Sequence, residues 1–275
     1  MTTHELPAPV LARSNPFADL ARGFAFPFRA MRLIVSNPTL RRLSAITAAI
    51  SAVLLLLLFG LLVAYTDDIL GLVWVKPSGW WLVLWYPVAF LVFAVLFVVG
   101  ASTVPTLATA PMLDPLSVAT ERALGIEGDD AFDLARVIKE TLHSMAKTAM
   151  RLLLFYVGQA FLLLLWLLPV VGHAAWSVAA VLWTVFWLAY EYLDVPANRY
   201  GFGFDAVLGF VRKHFFLAMG LGAAIHLILW VPLLNAVFIP VGAVGATMAF
   251  VELRRAEVAA RKLPASRDLG ETSAL

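Results

Sequence analysis

Four stretches of this 275-residue chain carry no Asp, Glu, Lys or Arg. The first lies between Arg42 and Asp67, densest in apolar residues from Ile46 to Ala64. The second lies between Lys76 and Asp114, densest from Trp80 to Ala101. A third runs from Leu152 to Tyr190, interrupted by Pro169-Val170-Val171-Gly172-His173. The fourth runs from Phe215 to Val251, with breaks expected at Pro232 and Pro240. A ~30 Å hydrocarbon core takes about 20 apolar residues in a helix rising 1.5 Å per residue. The first two stretches meet that length as full spans. The third divides into arms of about 17 residues, Leu152–Leu168 and Ala174–Tyr190, each reaching only about 25 Å. Such arms around a Pro-Val-Val-Gly turn predict a helical hairpin inserted part-way, and Phe215–Val231 with Leu233–Val251 repeats the design. A turn at membrane depth is tolerated only where protein covers it or water reaches it.

Composition agrees. Hydrophobic residues make up 62% and charged residues 14%, against roughly half and a quarter in soluble domains. The chain is therefore read as an all-α integral membrane protein: two long transmembrane helices, two partially inserted re-entrant hairpins and flanking amphipathic helices. This excludes a soluble enzyme, a secreted disulfide scaffold and a nucleic-acid-binding domain. With no cysteine there is no disulfide, thiolate metal site or cysteine nucleophile.

Charge placement orients the chain. Of 20 Lys and Arg, six precede the first span, five lie in Asp114–Arg151, three in Glu191–His214 and five beyond Val251; Lys76 alone lies in the loop Tyr65–Gly79. The positive-inside bias puts both termini and both long connectors in the cytoplasm of a multi-pass protein. No cleavable signal is evident. Residues 1–16 read as a disordered leader, 17–257 as a single membrane domain and 258–275 as a disordered cytosolic tail.

Two amphipathic helices are expected beside the membrane. In the first, Phe17, Leu20, Phe24, Phe28, Met31 and Val35 form one stripe, with Arg22 and Arg29 off it and aimed at lipid phosphates. In the second, Leu134, Ile138, Leu142 and Met145 oppose Arg136, Lys139, Glu140, His143 and Lys147. Both allow packing on the protein's own body or contact with lipid or a partner.

Three places hold chemistry. In Ser36-Asn37-Pro38-Thr39-Leu40-Arg41-Arg42, Asn37 suits an N-cap and Pro38 the first helical position. The amides of Thr39, Leu40 and Arg41 and the guanidiniums of Arg41 and Arg42 would then meet an oxyanion at the positive end of a long helix. The other reading of the same arginines is orientation signal and lipid anchor. Gln159, His173, His226 and Asn235 are polar residues within apolar stretches, where such residues are costly and often functional. Structural roles suit the histidines better than haem ligation or proton relay. Glu191, Asp194 and Arg199 cluster at a membrane boundary, either as an ion pair fixing the hairpins or as a hydrated vestibule. No nucleotide-binding, nucleophile-elbow or zinc motif occurs, so neither catalysis nor a cofactor is expected.

Several motifs together resemble a family. They are Ala110-Pro111-Met112-Leu113-Asp114-Pro115-Leu116, Leu168-Pro169-Val170-Val171-Gly172, Glu191-Tyr192-Leu193-Asp194-Val195-Pro196-Ala197-Asn198-Arg199, Asp205 through His214, and Val231 through Phe250. In this order and spacing, over roughly Phe24 to Glu257, the chain resembles the CysZ-type bacterial sulfate permeases, grouped with the etoposide-induced 2.4-like membrane proteins. The resemblance implies two long helices with two partly inserted hairpins, an inner-membrane location, assembly as dimers or larger, and ATP-independent sulfate uptake feeding cysteine synthesis. It also implies a sulfate site at a Gly-Leu-Arg-Arg segment, here Thr39-Leu40-Arg41-Arg42. Thr39 replaces the glycine, keeping the N–H while adding a hydroxyl donor and bulk. The expected partners are sulfate or a similar oxyanion, the lipid bilayer and further copies of the chain. The alternative is a non-transporting membrane scaffold or lipid-binding protein of the same family.

Overall fold

The computed structural model describes residues 15–72, 75–126, 153–168, 171–229 and 232–262. Every regular element among them is helical, as an all-α membrane protein requires. The leader before residue 15, the tail beyond 262 and the 134–145 amphipathic stripe lie outside the described residues.

Helix α1 (Pro16–Ser36) is capped by Asn15, whose side chain accepts from the Phe17 N–H, and starts on Pro16. It ends at Asn37, which caps α2 (Pro38–Ala64) in turn. A short α3 (Thr66–Gly71) follows, then α4 (Leu82–Ala123), entered through a 3-10 turn at Gly79–Trp81. The apolar helix α5 (Leu153–Leu167) faces α6 (Gly172–Arg199). Next come α7 (Phe204–Lys213), α8 (Phe215–Leu229) and α9 (Pro232–Lys262), with α7 and α8 meeting at 100°.

By length and hydropathy, Pro38–Ala64, Gly79–Ala101 and Gly172–Arg199 are each long and apolar enough to cross a membrane. The first two are the spans expected. The third corrects the arm expected at Ala174–Tyr190: α6 has 28 residues, because the helix runs on through Glu191–Arg199 with Pro196 inside it, whereas the described part of α5 is Leu153–Leu167. The break expected at Pro240 is absent, and α4 outruns its uncharged stretch. Helix α4 continues past Asp114 to Ala123 and contains Pro105, Pro111 and Pro115, giving a 42-residue rod of about 63 Å. Helix α9 runs unbroken through Pro240.

The arms of the first hairpin are tied by polar contacts. Gln159 Nε2 donates to Thr184 Oγ1 at 3.0 Å, and Trp183 Nε1 donates to the Phe155 carbonyl at 3.2 Å. At the turn, a Cβ on Gly172 would lie 2.2 Å from the Leu165 carbonyl oxygen, so only glycine admits this approach.

The core is the second hairpin. From Leu217 to Leu221 in α8, and from Ile239 to Val251 in α9, every residue is buried. Lipid tails are as apolar as leucine, so helices in a bilayer associate where small residues allow close van der Waals packing. Helix α8 carries Ala218, Gly220, Gly222 and Ala224, and α9 carries Gly242, Ala243, Gly245, Ala246 and Ala249. Helix α1 crosses α8 where Gly23 faces Leu217 and Gly220 faces Leu20, backbone against backbone. The leucine- and valine-rich α2 and α4 keep broad apolar faces exposed instead.

Helix α1 corrects the stripe expected of it. It docks through Gly23, Phe26, Pro27, Ala30 and Ile34, while Phe17, Leu20, Phe28, Met31 and Val35 stay exposed. Arg22 and Arg29 do not point away from the protein: they hold the two Glu252 oxygens on α9 at 3.0 and 3.1 Å.

Candidate functional site

The N-terminus of α2 forms as its sequence requires. Asn37 Oδ1 accepts from the N–H groups of Thr39 at 3.0 Å and Leu40 at 3.2 Å, while the Arg41 N–H donates to the Asn37 carbonyl at 2.9 Å. The three amides expected to meet an anion thus already have acceptors within the cap. Leu40 is fully buried, and Thr39, Arg41 and Arg42 are exposed. Thr39 and Arg42 lie three residues apart on one face, with Arg41 a step of about 100° from Arg42. Among the described residues no carboxylate pairs with Arg41 or Arg42. What this end offers an anion is two guanidiniums, a hydroxyl and the positive pole of a 27-residue helix.

The Glu191, Asp194 and Arg199 group is rearranged by the helical continuation of α6. Glu191 is exposed, whereas Asp194 is buried and accepts from Asn198 Nδ2 at 2.7 Å, one turn on. Arg199 reaches across to α4, with Nε 3.6 Å from Asp114 Oδ1 and Nη1 3.5 Å from Glu121 Oε2. Glu121 is only 3% exposed on its side chain. The arrangement matches ion pairing that fixes one helix to another, and the carboxylates facing Arg199 across the helix boundary come from α4. Glu121 escaped the sequence reading, although its seven-residue spacing from Asp114 puts both on one face of a helix. Tyr200 sits beside this cluster, and its hydroxyl is raised above the ordinary tyrosine value. Burial is the main cause and the Glu121 charge the next, partly offset by Arg254, whose guanidinium lies 3.7 Å from the Tyr200 ring centre.

Two of the remaining polar residues find structural places. Gln159 is spent on the hairpin, and His173 packs on Trp166 with ring centres 4.5 Å apart. The side chain of Asn235 lies outside the described residues. Among the described residues no three of His, Asp and Glu gather as metal ligands. Sequence reasoning also missed a polar face: the buried residues of α2 are Leu40, Ser44, Thr47, Ser51 and Leu55. Their i, i+4, i+7, i+11, i+15 spacing is visible in the sequence as a hydroxyl row between two leucines.

Comparison with known proteins gives this geometry its context. A protein named Sulfate transporter CysZ from Pectobacterium atrosepticum is 29% identical over 250 residues, covering 89% of this chain and 90% of that one. One of the same name from Pseudomonas paraeruginosa is 27% identical over 225 residues, 79% of this chain and 90% of that one. A third, from Pseudomonas fluorescens, is 30% identical over 136 residues, 48% of this chain and 53% of that one. The family described as Sulfate transporter CysZ/Etoposide-induced protein 2.4 matches residues 26–240, and with most of the chain inside that match, the protein belongs to this family.

Proposed function

We propose that this protein is an ATP-independent permease or channel for sulfate, or a similar oxyanion, in a bacterial inner membrane. The observation carrying the reading is the pair of exposed guanidiniums, Arg41 and Arg42, at the positive end of the first span, without a carboxylate partner among the described residues. Relatives named sulfate transporters align with this chain over nine-tenths of their length. In this reading Thr39, Leu40, Arg41 and Arg42 form the docking segment, with both guanidiniums and the Thr39 hydroxyl as donors and Leu40 as the buried anchor that seats them. The amides contribute through the helix dipole, since Asn37 takes their hydrogen bonds directly. The clustering of 19 of the 20 Lys and Arg away from the Tyr65–Gly79 loop supports a cytoplasmic docking segment and cytoplasmic termini. The exposed apolar face of α5 and the hairpin tip, including Phe161, Leu167 and Val171, supports assembly of two or more copies, with lipid covering the remainder.

Arginine and lysine separate site from anchor. Replacing both Arg41 and Arg42 by Lys keeps the positive charge that orients the helix but loses the planar forks. A charge-assisted hydrogen bond is worth about 1.5–3 kcal/mol, so sulfate affinity should fall by well over tenfold. The measurement is sulfate uptake by proteoliposomes, with insertion and orientation read by protease cleavage of the tail. Normal insertion with lost uptake upholds the site. Unchanged uptake returns Arg41 and Arg42 to the role of lipid anchors and brings the scaffold alternative forward.

A further inference from the structure

The buried face of α2 is three hydroxyls bracketed by two leucines, Leu40 and Leu55. Its surroundings follow from the packing register. Helices α2 and α4 run antiparallel: the rings of Phe59 and Phe97 are 5.7 Å apart, Gly100 abuts Leu58, and Leu55 clusters with Ala101. Continuing that register, Ser51 is level with Pro105, Thr47 with Thr109, and Ser44 with Met112. Thr109 is fully buried, as Thr47 is. About two turns from Thr109, the Ser117 Oγ of α4 lies 3.2 Å from Thr247 Oγ1 of α9, which can accept its proton, both residues being fully buried. A hydroxyl-lined seam therefore runs between α2, α4 and α9. It starts near the level of Thr39, at the docking end of α2, and reaches Ser51 inside the apolar span.

Packing alone accounts for part of this seam. Small residues favour close helix contact, and Thr47, Thr109 and Thr247 return their hydroxyl protons to the carbonyls of Leu43, Pro105 and Ala243. The serines differ. The Oγ atoms of Ser44 and Ser51 are buried and make no hydrogen bond among the described residues, although a serine in a helix has the carbonyl four residues back within reach. A buried hydroxyl without a partner costs about 1–3 kcal/mol, and alanine would fill the same space without that cost.

Resting on the permease reading above, we infer that the seam of Ser44, Thr47 and Ser51 with Thr109, Ser117 and Thr247 is the docking-side part of the oxyanion's path, held closed by Leu40 and Leu55. Neutral hydroxyls suit this task. A tetrahedral oxyanion shedding water needs several donors at once. A fixed guanidinium inside the span would hold a dianion too tightly to release it, whereas conduction needs sites weak enough to leave. The charge stays at the mouth, on Arg41 and Arg42, and the donors inside are uncharged. Leucines at both ends are apolar constrictions, which gate by excluding water. Opening then separates α2 from α4 and α9.

The test is Ser44→Ala with Ser51→Ala in proteoliposomes. The initial rate of sulfate uptake should fall at least tenfold, with thermal stability raised and equilibrium sulfate binding by the solubilised protein unchanged, because binding reports the arginines. Unchanged uptake overturns the path and leaves the serines as packing. A second measurement covers a variant that loses stability. The chain has no cysteine, so Ser51→Cys gives a single thiol, which a small anionic thiol reagent should modify more slowly when sulfate is added. A thiol that never reacts, or reacts at a rate indifferent to sulfate, overturns the path. Should the unaltered protein show no uptake above empty liposomes, the permease reading fails, and that failure is visible before any variant is compared.

Discussion

Gly23 and Gly220 set how closely α1 can lie on the hairpin core, and adding one methyl group tests that contact. A Cβ on Gly23 would lie 2.0 Å from the Leu217 carbonyl oxygen and 2.9 Å from the Leu221 nitrogen. A Cβ on Gly220 would lie 2.0 Å from the Leu20 carbonyl oxygen and 2.9 Å from the Phe24 nitrogen. Ordinary contact begins near 3.4 Å, so either alanine forces the helices apart by about 1.4 Å at the crossing. The obstacle is backbone on both sides, with no flexible side chain to swing away. A radial gap of 0.5–1 Å already forfeits a quarter to a half of a dispersion contact, and the contacts at stake include fully buried Phe26, Ala30 and Leu221. Overpacking of this kind costs about 1–3 kcal/mol. Both alanines press on the same crossing and one separation accommodates both, so the double variant should lose far less than the sum of the singles. Gly209 provides the control. It is exposed in α7 with nothing within 4 Å of its Cβ position, and Gly209→Ala should gain up to about 1 kcal/mol of helix propensity. Unfolding of the solubilised protein, followed by tryptophan fluorescence, measures all four. If Gly23→Ala proves as stable as the unaltered protein, or if the two losses add in full, the close crossing of α1 and α8 is refuted.

Two further outcomes follow from the charged end. Arg199→Met leaves Glu121 buried against α6 without its guanidinium and should cost roughly 3 kcal/mol, the low end for breaking a buried pair, because the contacts are 3.5 and 3.6 Å. Adding Glu121→Gln should recover part of that loss in the same unfolding assay, and a double variant less stable than Arg199→Met would contradict the pairing. Glu257 meets Lys213 and His214. Burial alone would raise its carboxyl, but hydrogen bonds and charge from Lys213 and His214 outweigh burial and lower it below its ordinary 4.5. Its stabilisation is therefore present above pH 4.5 and is lost as pH falls through the lowered value. The stability gap to Glu257→Gln should be within about 1 kcal/mol, given the exposed Lys213, and should close on acidification; a gap that widened in acid would reverse the assignment.

Much of the fold was legible because apolar length and charge placement act over whole segments. Asn37 and Pro38 marked the start of α2 to the residue, since a cap and a first-turn proline are local chemistry. What misled was Pro240: it lies inside continuous α9, as Pro105, Pro111, Pro115 and Pro196 lie inside α4 and α6. In a helix bundle, neighbouring helices and threonine hydroxyls can satisfy what a proline frees, and no local pattern reports such neighbours. Helix α1 misled differently. Its large apolar stripe is the conspicuous one, but a membrane protein does not bury its largest residues preferentially. The docking face is the one with Gly23 and Ala30, and small-residue spacing predicts it better than hydrophobicity does.

The site was legible to the same depth and no further. Sequence alone puts Arg41 and Arg42 at a helix start, but the division of labour there depends on Asn37. In the proposed reading, an N-cap that takes the Thr39 and Leu40 amides removes them as direct anion ligands and leaves the side chains to select the ligand. That changes the meaning of Thr39. Where amides do the binding, a threonine in place of glycine obstructs them; where side chains do it, the threonine hydroxyl is a donor on the same face as Arg42. The same logic carries inward, because Ser44, Thr47 and Ser51 repeat hydroxyl chemistry along the helix that Thr39 begins. A span evolved only to anchor would gain by replacing two unsatisfied serines with alanine, at about 1–3 kcal/mol each. Helix α2 keeps them on its one buried face, between two leucines, so the stability it forgoes lies where an anion leaving water would need donors.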